Sequence, residues 1–456
     1  MFDAVLRGAH IVSHSTNSTA DIGIIDGKVA EVLVAGSRAA AREQIDLSGL
    51  TLIPGLVDAH VHFRGSPGDA GESFTVGSAA ALAGGVTTVL EMPVTDPMVL
   101  TGERLQKRRE RLAPQALGDF ALYGGAGMGN LDELAGLKAA GAVGFKSFLH
   151  NATPGREHTL GTITATSNDE ILQVVQAAAA TGLVHAIHAE DDQLLRFGQA
   201  REDPADAAAF HLATRPELLE DVSVAAAAAI GIALRAKLHF VHVASPLSVD
   251  LLNFFSRRGA DFSIETGPHY LRFTTAELAE FGMHAKCNPP LRSAETQAGL
   301  IDRLADGMID IVASDHCSYP VEQVAAHLSD PICAPAGFPG IQYMLPSLLN
   351  LVAEGGISLA ALVAACSFAP ARRFALPSKG DIAPGMDADF VAIDLSQRTD
   401  FVQLPHQSVA VANVPFFQSE SYAGRVVQTW LRGRCVFDGH GLRVEPGYGS
   451  WLAPIA

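Results

Sequence analysis

The stretch Thr51–Phe63, TLIPGLVDAHVHF, decides how the rest of the chain is read. It is a short run apolar on both faces, as expected of a parallel strand covered on both sides, and it closes on His60-x-His62. An alanine-rich amphipathic stretch, Ser73–Ala83, follows, and then a second apolar run, Thr87–Met92. The same rhythm continues through the apolar runs Asp119–Ala126, Val143–Leu149, Leu183–Glu190, Lys237–Ala244, Asp261–Tyr270 and Ile309–His316. Helical patterns separate them: Leu100–Leu112, Asn130–Ala140, Ser167–Thr181, Pro216–Ala236, Ser248–Arg258 and Ala294–Ala305. Several begin at a capping Ser, Asn or Thr and end at glycine, as at Gly84-Gly85 and Gly182. Eight strand–helix units predict an α/β fold, specifically a TIM-like (β/α)8 barrel. A doubly wound open sheet is the alternative, but no GxGxxG fingerprint follows the first strand.

The ends read differently. Short β-like runs fill Ala4–Ile11, Asp21–Ile25 and Lys28–Val34, and again Asp389–Asp394, Val426–Leu431 and Arg434–Phe437. These runs predict that the two ends pair into one small composite β-sandwich. The expected division is 1–52 for its N-terminal part, 53–380 for a metal-binding barrel, and 381–456 for its C-terminal part and tail.

Composition narrows the function. Of 456 residues, 48% are apolar and 18% charged, enough to bury a large core and too little charge for wholesale disorder. Thirty-two basic against 49 acidic residues give a net charge of −17, which repels nucleic acid and anionic membranes and suits a protein handling small molecules. Five scattered cysteines without CxxC spacing, no signal-like N-terminus and no 18-residue apolar stretch point to a reducing cytoplasm.

The histidines carry the chemistry. In a strand, residues i and i+2 share a face, so His60 and His62 can reach one ion. His188 ends the fifth run, His242 the sixth, and Asp315 with His316 the eighth, while Lys146 sits inside the fourth. In a barrel the C-terminal strand ends converge on one mouth. A lone strand-end histidine is more often a hydrogen-bonded core residue than a ligand, but four plus an aspartate on one rim are hard to explain by chance. Imidazole with carboxylate suits Zn²⁺, with Mn²⁺, Co²⁺ or Fe²⁺ open by ligand type. Lys146 has two readings: an ammonium snorkelling to the mouth, or a neutral buried amine that adds carbon dioxide to form a carbamate bridging two cations. His10, His14, His158, His185, His211, His239, His327, His406 and His440 are read as structural or surface residues, and His269 and His316 stay undecided.

Gly55-Leu-Val-Asp-Ala-His-Val-His62, Gly144-Phe-Lys-Ser-Phe148, His188-Ala-Glu190, Glu265-Thr-Gly-Pro-His-Tyr270, Asn288-Pro-Pro-Leu-Arg292 and Ala313-Ser-Asp-His316 together resemble the cyclic amidohydrolases, the dihydroorotase, allantoinase and hydantoinase group of the amidohydrolase superfamily. The resemblance spans essentially the whole chain. It implies a centre of two divalent ions, zinc foremost. His60, His62 and Asp315 would hold one, His188 and His242 the other, and carboxylated Lys146 would bridge them. It further implies hydrolytic opening of a cyclic amide or ureide, with Asp315 passing the proton of the attacking water to the leaving nitrogen, and assembly as a homodimer or homotetramer.

Subtype markers conflict. Arg64 matches an arginine that dihydroorotases keep for a substrate carboxylate, the other reading being a rim arginine paired with Asp69 or Glu72. Asn288 matches an asparagine of the dihydroorotase motif and is a candidate substrate contact. Val94 after Met92-Pro93, and Cys317-Ser318-Tyr319 after the metal aspartate, depart from dihydroorotases. Phe148, His150 and Asn151 stand where hydantoinases place a tyrosine. Arg64 tips the expectation towards a dihydroorotate-like ring, with allantoin or a hydantoin next. A non-catalytic scaffold and a deaminase-type relative with one metal are the rivals; the filled ligand positions argue against the first and Lys146 against the second.

Overall fold

Gly55 divides the deciding stretch into two strands. A Cβ there would lie 2.3 Å from Oγ1 of Thr87, so only glycine fits where the chain crosses its neighbour. The computed structural model describes residues 1–64, 71–152, 160–203 and 205–454. In it Thr51–Pro54 (β5) joins a sheet built from the chain ends, whereas Leu56–His62 (β6) begins the parallel core. The expectation of one strand across 52–63 is corrected by that close approach.

Two parallel sheets form the centre. One runs in the order Asp119–Leu122 (β8), Val86–Glu91 (β7), β6, His316–Cys317 (β15). The other runs Gly124–Gly125 (β9), Gly144–Phe148 (β10), Val184–His188 (β11), Lys237–Phe240 (β12), Asp261–Thr266 (β13), Ile311–Val312 (β14). The run 119–125 therefore pairs with β7 through β8 and with β10 through β9. The run 311–317 likewise pairs with β13 and with β6. Several predicted runs were too long; Lys237–Ala244, for one, is a strand only as far as Phe240. Asp261–Tyr270 leaves the sheet at Thr266, because Pro268 opens a helix over Pro268–Arg272, and Ile309–His316 keeps only two short paired segments.

Helices occupy the intervals as patterned. Phe74–Ala83, Gly102–Leu112, Pro246–Ser256 and Ala294–Ala305 start behind Ser73, Thr101, Ser245 and Ser293, whose side chains accept first-turn N–H groups. Asn168–Thr181 ends at Gly182 with φ of +79°. Glu217–Leu234 buries Leu219, Ser223, Val224, Ala227, Ala228 and Gly231 along one face. No helix among the described residues is long and apolar enough to cross a membrane.

The ends meet in an eight-stranded sheet. Phe2–Val12 (β1), Asn17–Ile25 (β2) and Lys28–Val34 (β3) continue through β5 into Phe390–Asp400 (β16), Ser421–Leu431 (β17) and Arg434–Phe437 (β18). Ala41–Asp46 (β4), AREQID, pairs with β1 although its side chains are mostly exposed. Nothing in its composition marks it as a strand. Lys379 fastens this sheet to the core: its buried Nζ lies 2.6 Å from Asp119 at the start of β8, 2.7 Å from Asp389 and 3.0 Å from Asp387. Replacing Lys379 by methionine leaves Arg432 to Asp119 and Lys28 to Asp387 but removes the only cation bonded to Asp389 among the described residues, and we expect a loss of about 3 kcal/mol in stability, read as a lower urea midpoint.

Candidate metal centre

The β6 strand delivers His60 and His62 side by side, with Nε2 atoms 3.2 Å apart. Asp315, between β14 and β15, turns Oδ1 to 3.2 Å from Nε2 of His60 and 3.4 Å from Nε2 of His62. One ligand atom from each of the three lies within 4.8 Å of the others, an arrangement that one cation can fill. Burial alone would raise the Asp315 carboxyl, but the neighbouring histidines hold it well below the usual carboxylate range. Burial pushes the His62 imidazole down to about 3, so it is neutral and able to ligate.

Beside this trio stand Lys146, His188 and His242. Lys146 is buried in β10, and its Nζ has no hydrogen-bond partner among the described residues. Burial lowers that amine to about 8. His188 ends β11 with Nε2 at 2.8 Å from Oε2 of Glu190, which Arg215 also bonds. The nitrogen left to His188 for a cation is therefore Nδ1. The His242 ring centroid lies 4.5 Å from that of His188 and 5.4 Å from that of His60.

All eight residues singled out from the sequence (these six with Arg64 and Asn288) line one cavity of about 660 Å³, counted with its open mouth. Three of its walls carry strained backbone: Arg64, His242 and Asp315 have φ of +63°, +40° and +47°. Arg64 is held there because Glu91 accepts its N–H at 2.8 Å and that of Phe63 at 3.2 Å, while Arg108 bonds both Glu91 and the Arg64 carbonyl. The guanidinium is buried, 2.9 Å from Sγ of Cys317 and 3.0 Å from the Tyr319 hydroxyl. Of its two suggested rim partners, Glu72 bonds His316 at 2.8 Å and also Ser408. Asp69 lies outside the described residues, as does His158. Asn288 also lines this cavity, and its buried Oδ1 has no hydrogen-bond partner among the described residues.

Several contributors escaped the sequence reading. Glu265 accepts from Nδ1 of His60 at 2.9 Å, and its other oxygen meets Nε2 of His239 at 3.0 Å. Burial would raise this carboxyl, but His60 and His239 hold it well below the ordinary range. Glu190 and Glu265 both stand inside family motifs, and His239 alternates with the strand, yet nothing in their spacing marks them as supports. A separate acidic group, Asp119, Asp387 and Asp389, has cation-like spacing, but the Lys379 amine already sits among them.

Residues 51–436 match the Amidohydrolase family. The chain belongs to that family. This amidohydrolase is 33% identical to an L-hydantoinase of Paenarthrobacter aurescens, over 99% of this chain and 98% of the relative. It is 32% identical to an allantoinase of Bacillus velezensis, again over 99% and 98%, and proteins named dihydroorotase are also among its relatives. The solved L-hydantoinase of Arthrobacter aurescens superposes on it with a TM-score of 0.91, at 33% identity, covering 99% of this chain and all of that one. The amidohydrolase thus has full-length relatives named for three ring-opening activities. Val94, His150, Cys317 and Tyr319 line its cavity together with Arg64.

Proposed function

We propose that this amidohydrolase opens the ring of a cyclic amide or ureide by hydrolysing a C–N bond, using two divalent cations, zinc first. The observation that carries this reading is the convergence of His60, His62 and Asp315 within 4.8 Å, beside a buried lysine amine with no hydrogen-bond partner among the described residues. The donor set fits such ions: imidazoles, a carboxylate and an amine that meets no hydrogen-bond partner among the described residues. His60, His62 and Asp315 would hold one cation and His188 and His242 the other. An amine lowered to about 8 keeps a neutral fraction whose lone pair adds to carbon dioxide, releasing a proton and leaving a carbamate on Lys146 as the bridging group.

Two bound cations would bring the pKa of water from 15.7 towards 7 and polarise the scissile carbonyl. The chain's own groups do the rest. The ionised Asp315 carboxylate takes the proton of the attacking water and returns it to the leaving ring nitrogen. Glu190 and Arg215 keep His188 oriented, and the Arg64 guanidinium, fixed against Tyr319, faces the cavity as a reader of anionic substituents.

Supporting the finer fold, the runs 119–125 and 311–317 each bridge the two parallel sheets, which we read as one closed eight-stranded barrel; its expected start at 53 moves to Gly55, because β5 pairs with β16, and its end is kept at 380. Ile22 and Ile24 share a buried cluster with Leu52, Phe390 and Trp430, as expected if the terminal sheet (1–54 with 381–456) folds over as a sandwich. A cytoplasmic homodimer or homotetramer completes the reading.

The deciding experiment supplies zinc and bicarbonate and assays dihydroorotate, allantoin, hydantoins, dihydrouracil and cyclic imides. Hydrolysis of none of them, with two ions per chain present, rejects the reading. Arg64 favours the carboxylate-bearing ring. Arg64→Ala should raise KM for dihydroorotate about 10-fold or more, by loss of a charge-assisted pair, and leave uncharged rings nearly unaffected. Equal effects on both classes would reassign Arg64 to holding Tyr319 and Cys317.

A further inference from the structure

Glu265 stands between the two sets of metal-binding groups, and the role inferred for it rests on the reading of those groups as a two-cation centre. One of its oxygens, Oε1, lies 2.9 Å from Nδ1 of His60 and 3.1 Å from the backbone nitrogen of His242. Its second oxygen lies 3.0 Å from Nε2 of His239, whose Nδ1 is 2.8 Å from the Ser263 hydroxyl. Glu265 and His239 are both fully buried. Oε1 accepts the backbone N–H of His242 and meets the imidazole as an acceptor too. Nδ1 of His60 must therefore carry the proton, which leaves the lone pair on Nε2, the atom that meets His62 and Asp315. The bond to His242 acts on backbone instead. His242 sits at φ of +40°, a conformation that L residues seldom adopt, and the Glu265 oxygen holds its N–H in that turn. The turn in its place sets the His242 ring against that of His188.

We infer that Glu265 is a positioning residue that couples the two cation sites. A single carboxylate oxygen fixes the imidazole tautomer in one site and the backbone turn of a ligand in the other. His239 and Ser263 hold that carboxylate from behind. Neither cation would then be bound at full strength without the other's support being intact.

The test compares Glu265→Gln with Glu190→Gln, which among the proposed ligands bonds only His188 and otherwise holds Arg215. Each protein is loaded with zinc and dialysed against graded chelator, and metal per chain is counted; melting of the metal-free forms is recorded alongside. Glu265→Gln keeps the shape and removes the charge. It should weaken retention of both ions together, about 10- to 100-fold as for loss of outer hydrogen-bond partners at metal sites. Glu190→Gln should loosen one ion of the two. Loss of a single ion in Glu265→Gln, or unchanged retention with only a lower metal-free melting temperature, overturns the coupling and makes Glu265 a purely structural group. His239→Gln, which releases the far oxygen, should loosen both ions by a smaller factor. It is judged by the same outcomes and decides the matter if Glu265→Gln does not fold. Wild-type protein that never retains two ions would instead sink the proposed function.

Discussion

Lys146→Ala lowers turnover by about 10⁴-fold or more and leaves the protein short of metal, on the view that the carbamate is the one group shared by both cations and that without them water keeps its pKa of about 15.7. The expectation comes from the amine's surroundings. Nζ is buried, no hydrogen-bond partner meets it among the described residues, and the nearest aromatic face, that of Phe148, is 5.2 Å away. An ammonium left in that state is costly, and the proposed carbamate would relieve that cost. The measurement pairs initial rates on a hydrolysed ring substrate with metal counted per chain, in bicarbonate. Near-normal rates in the alanine variant with both ions retained would return Lys146 to the snorkelling ammonium.

The second large effect belongs to Asp315→Asn. Asparagine matches the shape and is among the few residues that accept positive φ, so the turn at +47° survives the change. What is removed is the charge and the ability to take a proton. Loss of general acid–base work alone is expected to lower kcat about 10²- to 10⁴-fold, with weaker binding at the His60–His62 site added to it. Circular dichroism should stay unchanged while kcat falls. A variant that retains full activity with metal supplied would remove Asp315 from the proton path.

Much of this was legible in the chain itself. Alternating apolar runs and capped helices read true because parallel strands buried on both faces leave a plain hydrophobic signal, and His60-x-His62 announces itself by strand periodicity. The break at Gly55 was hidden, since only the approach of Thr87, distant in sequence, makes glycine obligatory there. Strand β4 was hidden because backbone pairing with β1, not side-chain burial, makes it a strand. Glu265 left no local trace because its partners are 205 and 26 residues away for His60 and His239. Supporting groups of this kind are visible only once the strands are side by side.

The clasp between Lys379 and Asp119 joins residues 260 positions apart, and β5 waits longer still for its antiparallel neighbour β16. As the chain leaves the ribosome, the carboxylate of Asp119 and the open edge of β5 must therefore survive without their partners until nearly all of the protein has been made. Nascent chains with unpaired edges are prone to aggregate. Yield in cells should accordingly depend on translation speed and chaperone supply more than the finished protein's stability would suggest.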